Sequence, residues 1–513
     1  ASDSTWLTAS KQGFLLFISK KDIKVDYKKV ANTLAPFLIK DTEDKKSLLK
    51  EVQRIEGLLA KNLVWIPIEH KVSEETKRNI EALSIPGVGF ELEEIRTYPE
   101  GSLASHLLGF VGKDEAGMDT GYFGLEGFYD LSLKGKPGFL EREKDAKGAP
   151  ILVGGDREIL AIEGIDLLTH IDKGVQIMIE KKLSEGLSNY GAQSGVVIVS
   201  DPQTGAIIAM ASDPAYEPDK YFEFGEDFFK NPAISDSFEP GSIFKSLVMA
   251  AALDSGVVQA DSICNICDGP VKVDKYIIET WNKKYHPNSN LTDIIVNSDN
   301  VGMTFVGGKL GRERFVDYLE RFGFGKPTGI DLQGEANPFL RVEEDWSEVD
   351  IATASFGQGI AVTPIQMIQA YSAIANRGKI SKPQVVDKIV KDGWQEDIEA
   401  KIDKNIISQA VADIVVEMMV KAVKYGESKW VTKKGFSVAG KTGTAQIPIS
   451  GHYDKEKTIA SFIGFAPSDK PKFIMLVILR EPTTSTWGSE TAAPLWFSIA
   501  EELYPLFGIQ PEN

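Results

Sequence analysis

Ser242 and Lys245 stand three residues apart in Pro240-Gly241-Ser242-Ile243-Phe244-Lys245. A serine hydroxyl is a weak nucleophile until a base lies within hydrogen-bond reach. Lysine can be that base when burial or a second cation lowers its pKa. Phe244, Leu247 and Val248 around Lys245 offer such burial. Pro-Gly ends a loop, and the apolar stretch Ser242–Leu253 predicts a buried helix starting at or beside the serine. Ser242 would then sit at the positive end of the helix dipole, with Lys245 one turn on along the same face. Ser-x-x-Lys alone is common, and Ser242 could equally be a simple N-cap.

Two further polar motifs follow. Ser298-Asp299-Asn300 reads as a turn or helix start. Lys441-Thr442-Gly443-Thr444 lies in a small-residue segment suited to an edge strand facing a ligand, where Gly443 would let a backbone approach closely. Gly435 to Thr442 also fits the phosphate-loop pattern G-x-x-x-x-G-K-T. That motif works only between a buried strand and a helix beginning at the lysine. The polar Trp430–Lys434 before it, and Pro448 and Gly451 after it, argue against a nucleotide site.

The elements that must position these residues are legible in part. Asp172–Leu187 predicts a helix, and Gly195–Ser200 with Ala206–Ala211 predicts an antiparallel hairpin across Asp201–Gly205. Thr363-Pro364 is a helix start, and Gly378 a stop. Ile459–Ala466 and Lys472–Arg480 predict two strands, and Ala493–Leu503 a last helix. Hairpins around a helix-rich middle give an α+β fold on an antiparallel sheet flanked by helices. The texture shifts near residue 160, which sets expected domains of 1–160 and 161–513. In the first of these, Lys45–Lys61 predicts an amphipathic helix, and residues 99–155 are glycine-rich turns between short strands. That first part reads as a support or interaction module.

The chain has 513 residues, 57 basic and 74 acidic, for a net charge of −17. Such a surface disfavours nucleic acid and anionic lipid as partners. No apolar run nears the ~20 residues of a membrane-spanning helix. The two cysteines, Cys264 and Cys267, could be a redox pair, a local disulfide or plain thiols. With five scattered histidines, no metal site is expected.

Ser-x-x-Lys, Ser-Asp-Asn and Lys-Thr-Gly in this order form a set known from penicillin-binding proteins and class A β-lactamases. The separations are 56 residues from Ser242 to Ser298 and 143 from Ser298 to Lys441. The sequence resembles the class B penicillin-binding proteins, monofunctional D,D-transpeptidases of bacterial cell-wall synthesis. Arg96–Gly101 with His106–Gly109 resembles their pedestal signature, and Gly124-Leu125-Glu126 their glycine-leucine-glutamate box. Asp201–Ala206, Ser355–Gly359 with Thr363-Pro364, and Ser461–Pro467 match further family segments. The Arg-Gly-x-Ile-x-Asp-Arg stretch that usually follows the family's membrane anchor is absent from residues 1–90. The chain opens at Ala1 without a basic-then-apolar leader, so a chain trimmed of its anchor is expected.

The resemblance implies an elongated N-terminal pedestal and a β-lactamase-like transpeptidase domain on the extracytoplasmic face of the bacterial membrane. It implies that Ser242 attacks the bond between two D-alanines of a peptidoglycan stem peptide and that Lys245 takes its proton. The N–H groups of Ser242 and Thr444 would form the oxyanion hole. Ser298 would pass a proton to the leaving D-alanine, and Asn300 would hold the peptide amide. Lys441 would supply positive potential, Thr442 and Thr444 would bind the terminal carboxylate, and the strand through Gly443 would pair with the substrate backbone. No cofactor is implied. β-Lactams would acylate Ser242. A SEDS-type membrane glycosyltransferase and other elongation or division proteins are the implied partners. A β-lactamase is disfavoured because no Glu-x-x-Leu-Asn lies between Asn300 and Lys441. An inactive scaffold is disfavoured because every expected catalytic side chain is present.

Overall fold

The structure, a computed structural model, describes residues 1–39, 41, 43–115, 117–136, 138–141, 157–403, 406–449 and 452–511. The chain forms two compact units, Trp6–Glu100 and a larger one of Ala1–Thr5 with Gly101–Asn513.

In the smaller unit β1 (Ala9–Ser19) is the central strand, flanked by β2 (Trp65–Val72) and β3 (Val88–Thr97), both antiparallel to it. Helices α1 (Tyr27–Leu38), α2 (Lys45–Ala60) and α3 (Glu74–Glu81) complete it. Phe14, Leu16 and Ile18 alternate along β1, so one face of the strand is apolar and meets Leu34, Ile55 and Leu59 of the helices. The predicted helix at Lys45 is present and capped by Asp44, which accepts from Lys46 N–H at 2.9 Å. Of its predicted stripe, Val52, Ile55 and Leu59 are buried and Leu49 is exposed.

In the larger unit α4 (Lys173–Tyr190), capped by Asp172, leads to the hairpin β4 (Ser194–Ser200) and β5 (Ile207–Asp213). The helices that follow include α5 (Lys245–Asp254), α6 (Leu291–Val296), α7 (Asn300–Leu310), α8 (Pro364–Ala375) and α9 (Gln409–Tyr425). Strands β6 (Ala439–Ile449), β7 (His452–Ala466) and β8 (Phe473–Arg480) and helix α10 (Ala492–Leu506) close the fold. Among the described residues the main sheet has five strands in the order β5-β4-β8-β7-β6, all antiparallel. β8 is central and almost wholly buried, as a strand covered on both faces must be. Its Phe473, Met475, Val477 and Leu479 share a core with α4 and with Trp496 and Leu503 of α10. Trp496 donates its indole N–H to Met475 O at 2.9 Å. Helix α8, capped reciprocally by Thr363 and Gln366, is buried along its whole length.

Two expectations need correction. Ser242–Leu253 is not one α-helix: a 3-10 turn, Gly241–Phe244, comes first, and the α-helix begins at Lys245. Gly241 has φ 56°, and a Cβ there would lie 2.9 Å from Thr444 O, so tight approach of β6 sets the turn. The glycine-rich stretch 99–155 is also not strands and turns alone. It contains short helices at Ser105–Leu108, Gly124–Phe128 and Asp130–Leu133, the first with every residue buried. Burial, which local composition does not encode, accompanies the first two, whereas Asp130–Leu133 has no buried residue. Residues 142–155 of that stretch lie outside the described residues.

Candidate active site

The three motifs meet where the 3-10 turn, the N-terminus of α7 and the edge strand β6 come together. In a 3-10 turn residues i and i+3 are eclipsed, so Ser242 and Lys245 align more directly than on an α-helix. Ser242 is half-buried, whereas Lys245 has no exposed surface. The Lys245 Nζ donates to Ser298 O at 2.6 Å and to Asn300 Oδ1 at 2.7 Å, and lies 3.3 Å from Ser298 Oγ. Lys441 Nζ donates to the same hydroxyl at 3.0 Å and to Thr442 O and Oγ1 at 3.2 Å each. One hydroxyl oxygen therefore sits between two buried amines. None of the hydrogen bonds of Lys245 goes to Ser242 Oγ; the serine is held near by chain connectivity and by the packing of its turn.

That packing is tight. Gly241 N–H donates to Gly357 O at 3.0 Å. Gly357 has φ 82°, and a Cβ on it would stand 2.1 Å from Gly241 O. The Gly357-Gln358-Gly359 turn is thus the backing of the serine turn. Tyr371 of α8 donates its hydroxyl to Ile243 O. A Cβ on Gly443 would meet Ser461 Oγ at 2.3 Å and Ile243 Cγ2 at 3.0 Å, so β6 reaches the turn only with glycine there.

Ser298 has φ 53°, in the left-handed region, which costs a non-glycine residue ~1 kcal/mol or more. It stays there because both sides are anchored. Asp299 caps α7 by accepting from Gly302 N–H at 3.0 Å. On the other side Asn290 and Asp293 form a capping box on α6. Just before that box, Cys264 N–H bonds Ser289 O at 2.9 Å, and Cys264 is joined to Cys267 by a disulfide. The structure thus selects the local disulfide among the three states open to these cysteines.

Electrostatics follow from burial. Desolvation, then the nearby Lys441 ammonium, lower the Lys245 pKa to about 7, against opposing pull from Glu427 and Asp299. Desolvation also lowers the Lys441 pKa, with Glu427 opposing. Glu427 was not singled out in the sequence. It follows α9, accepts the Thr442 hydroxyl at 2.7 Å, and offers no local motif that could have marked it. Gly488 is a second such residue: its N–H donates to Thr444 Oγ1 at 2.9 Å, and a Cβ on it would lie 2.1 Å from Gly443 O. Beside it Trp487 packs on Trp281 with ring centroids 5.1 Å apart. Lys441 lies within a strand rather than at a helix start, which removes the phosphate-loop alternative.

The family model described as penicillin binding protein transpeptidase domain matches residues 195–503. That of the penicillin-binding protein dimerisation domain matches residues 1–168. The chain is 33% identical over 452 residues to stage V sporulation protein D of Bacillus subtilis (strain 168), covering 87% of this chain and 69% of the relative. It is 30% identical over 451 residues to peptidoglycan D,D-transpeptidase FtsI of Escherichia coli (strain K12), covering 87% and 73%. Among solved structures, penicillin binding protein 3 from Mycobacterium tuberculosis complexed with aztreonam superposes with a TM-score of 0.72 at 27% identity, covering 82% of this chain and 92% of that one. The chain belongs to the class B penicillin-binding proteins, with a transpeptidase domain joined to a dimerisation domain.

Proposed function

We propose that the chain crosslinks peptidoglycan stem peptides through an acyl-enzyme on Ser242. The observation that carries this is the buried Lys245 amine, one 3-10 turn from a reachable serine. With a pKa of about 7, much of Lys245 is neutral at neutral pH. A neutral amine has two N–H donors and one lone pair. The donors match Ser298 O and Asn300 Oδ1, the two shortest contacts, and the lone pair remains for a hydroxyl proton. Lys245 takes the Ser242 proton as Oγ bonds to the carbonyl carbon of the penultimate D-alanine. The N–H groups of Ser242 and Thr444 hold the oxyanion, each such donor contributing about 3 kcal/mol. The C–N bond breaks, and the terminal D-alanine leaves with a proton delivered through Ser298. That hydroxyl accepts from Lys441, which frees its own proton for donation. Asn300 holds the donor amide, Thr442 and Thr444 the terminal carboxylate, and Gly443 the close-packed strand between them. An amine from a neighbouring stem peptide then attacks the ester, releases Ser242 and forms the crosslink.

Residues 1–160 are proposed as the supporting part and 161–513 as the catalytic part, which assigns the stretch after Gly101 to support although it is compact with the catalytic unit. The Cys264–Cys267 disulfide supports an extracytoplasmic site at the bacterial envelope, because the cytosol keeps such thiols reduced. Among the described residues no helix is long and apolar enough to cross a membrane. Kinship supports a SEDS-type glycosyltransferase as membrane partner.

The test is incubation with fluorescent penicillin followed by a denaturing gel. Stable label on the wild type that vanishes in Ser242→Ala is the expected result. Label at another residue refutes the assignment. Rapid loss of label with consumption of the antibiotic would instead make the protein a β-lactamase.

A further inference from the structure

Lys441 is buried and, among the described residues, forms no direct ion pair. Its Nζ instead makes three hydrogen bonds, to Ser298 Oγ, Thr442 O and Thr442 Oγ1, which match the three N–H donors of an ammonium. Thr442 fixes the next link. Its hydroxyl oxygen accepts from Lys441, and its single proton goes to Glu427 Oε2 at 2.7 Å. An ionised carboxylate can only accept. One hydroxyl dipole therefore joins an ammonium on one side to a carboxylate on the other.

The backbone at Glu427 is pinned. Helix α9 ends at Tyr425, and Gly426 N–H bonds Ala422 O at 2.9 Å. A Cβ on Gly426 would lie 2.4 Å from Ala422 O and 2.8 Å from Val296 O, so only glycine lets this corner pack on α6, the helix that leads to Ser298. Glu427 itself is half-buried. The other acid near the two amines is Asp299, which spends one oxygen on the cap of α7 and acts on Lys245. For Lys441 the charge that opposes desolvation is that of Glu427. A buried ammonium without such a partner is costly to keep.

We infer that Glu427 is a positioning residue of this site: through the Thr442 hydroxyl it is the counter-ion that keeps Lys441 charged. On the transpeptidase reading proposed above, that charge is what a carboxylate entering the cleft meets. Thr444 stands ready beside it, because its hydroxyl accepts from Gly488 N–H and keeps its own proton for donation. Benzylpenicillin carries a carboxylate, and its methyl ester has the same ring without the charge. The second-order rate of Ser242 acylation by each is read by mass from about pH 6 to pH 9. The wild type is expected to prefer the acid by about tenfold or more throughout, the scale of one charge-assisted hydrogen bond. Glu427→Gln keeps an acceptor oxygen for Thr442 and removes the charge. A lysine deprived of its counter-ion loses its proton at lower pH, so the preference is expected to fall toward one, first at the alkaline end. Damage to the fold or to the serine turn would slow both compounds alike and leave their ratio. Glu427→Ser removes the charge with a small side chain and is expected to give the same result should the first variant not fold. A wild-type preference of one, or a preference unchanged in a folded variant, overturns the inference. So does a preference that rises, which would make Glu427 a rival of the carboxylate for the Thr442 proton. No acylation of wild-type Ser242 by benzylpenicillin at any pH defeats the transpeptidase reading itself, and this inference with it.

Discussion

Lys245 is a cation by default, placed where a cation is hard to keep. Removing an ammonium from water costs several kcal/mol, and Lys441 adds repulsion. The lowered pKa leaves much of the amine neutral at neutral pH, as the proposed base role requires. Because the folded value is about 7, the amine is protonated below it and neutral above it. The second-order rate of Ser242 acylation by penicillin is therefore expected to rise through pH 6 to 8 and level off, with a midpoint near 7. A flat profile across that range would refute Lys245 as the base. Arginine cannot lose its proton in a protein. Lys245→Arg should therefore lower the acylation rate about 100-fold or more, the scale of general-base catalysis, with the pH midpoint lost. Stopped-flow acylation measures both.

At the scale of elements, the site depends on backbones too close for side chains. Gly357, Gly443 and Gly488 each stand where a Cβ would overlap a neighbour: Gly241 O, Ser461 Oγ and Gly443 O respectively. Gly357 also has a positive φ, so Gly357→Ala combines strain with overlap. Loss of about 1–3 kcal/mol is expected, seen as a lower Tm, with acylation at least tenfold slower because the serine turn is displaced. Tyr371→Phe removes the donor to Ile243 O and leaves that buried carbonyl without this bond, at a cost of about 1–3 kcal/mol. Denaturant unfolding measures both.

At the scale of the molecule, two units carry separate cores, one around Leu16, Ile55 and Leu59 and one on the five-stranded sheet. Ligand binding stabilises only the structure it binds. Calorimetry with and without benzylpenicillin is expected to raise an unfolding transition belonging to the larger unit and to leave that of the Trp6–Glu100 core in place. A shift of both together would count against independent units. The net charge of −17 belongs to this scale too, favouring solubility and disfavouring polyanionic partners rather than choosing a fold.

Local sequence was enough for the elements with a strong period or a clear cap. The helix after Asp172, the β4–β5 hairpin, the strand through Phe473–Arg480 and the Thr363 start all stand within a few residues of their expected places. The three motifs in order, together with the pedestal signature and the further family segments, were enough to name the family. What no local signal carried was anything settled by contacts far apart in the chain. The 3-10 turn at Ser242 exists because β6, two hundred residues later, packs against Gly241. Glu427 and Gly488 join the site for the same reason, and the placing of one hydroxyl between two amines does too. A lysine pKa is a property of its surroundings, and those surroundings exist only after the chain has folded.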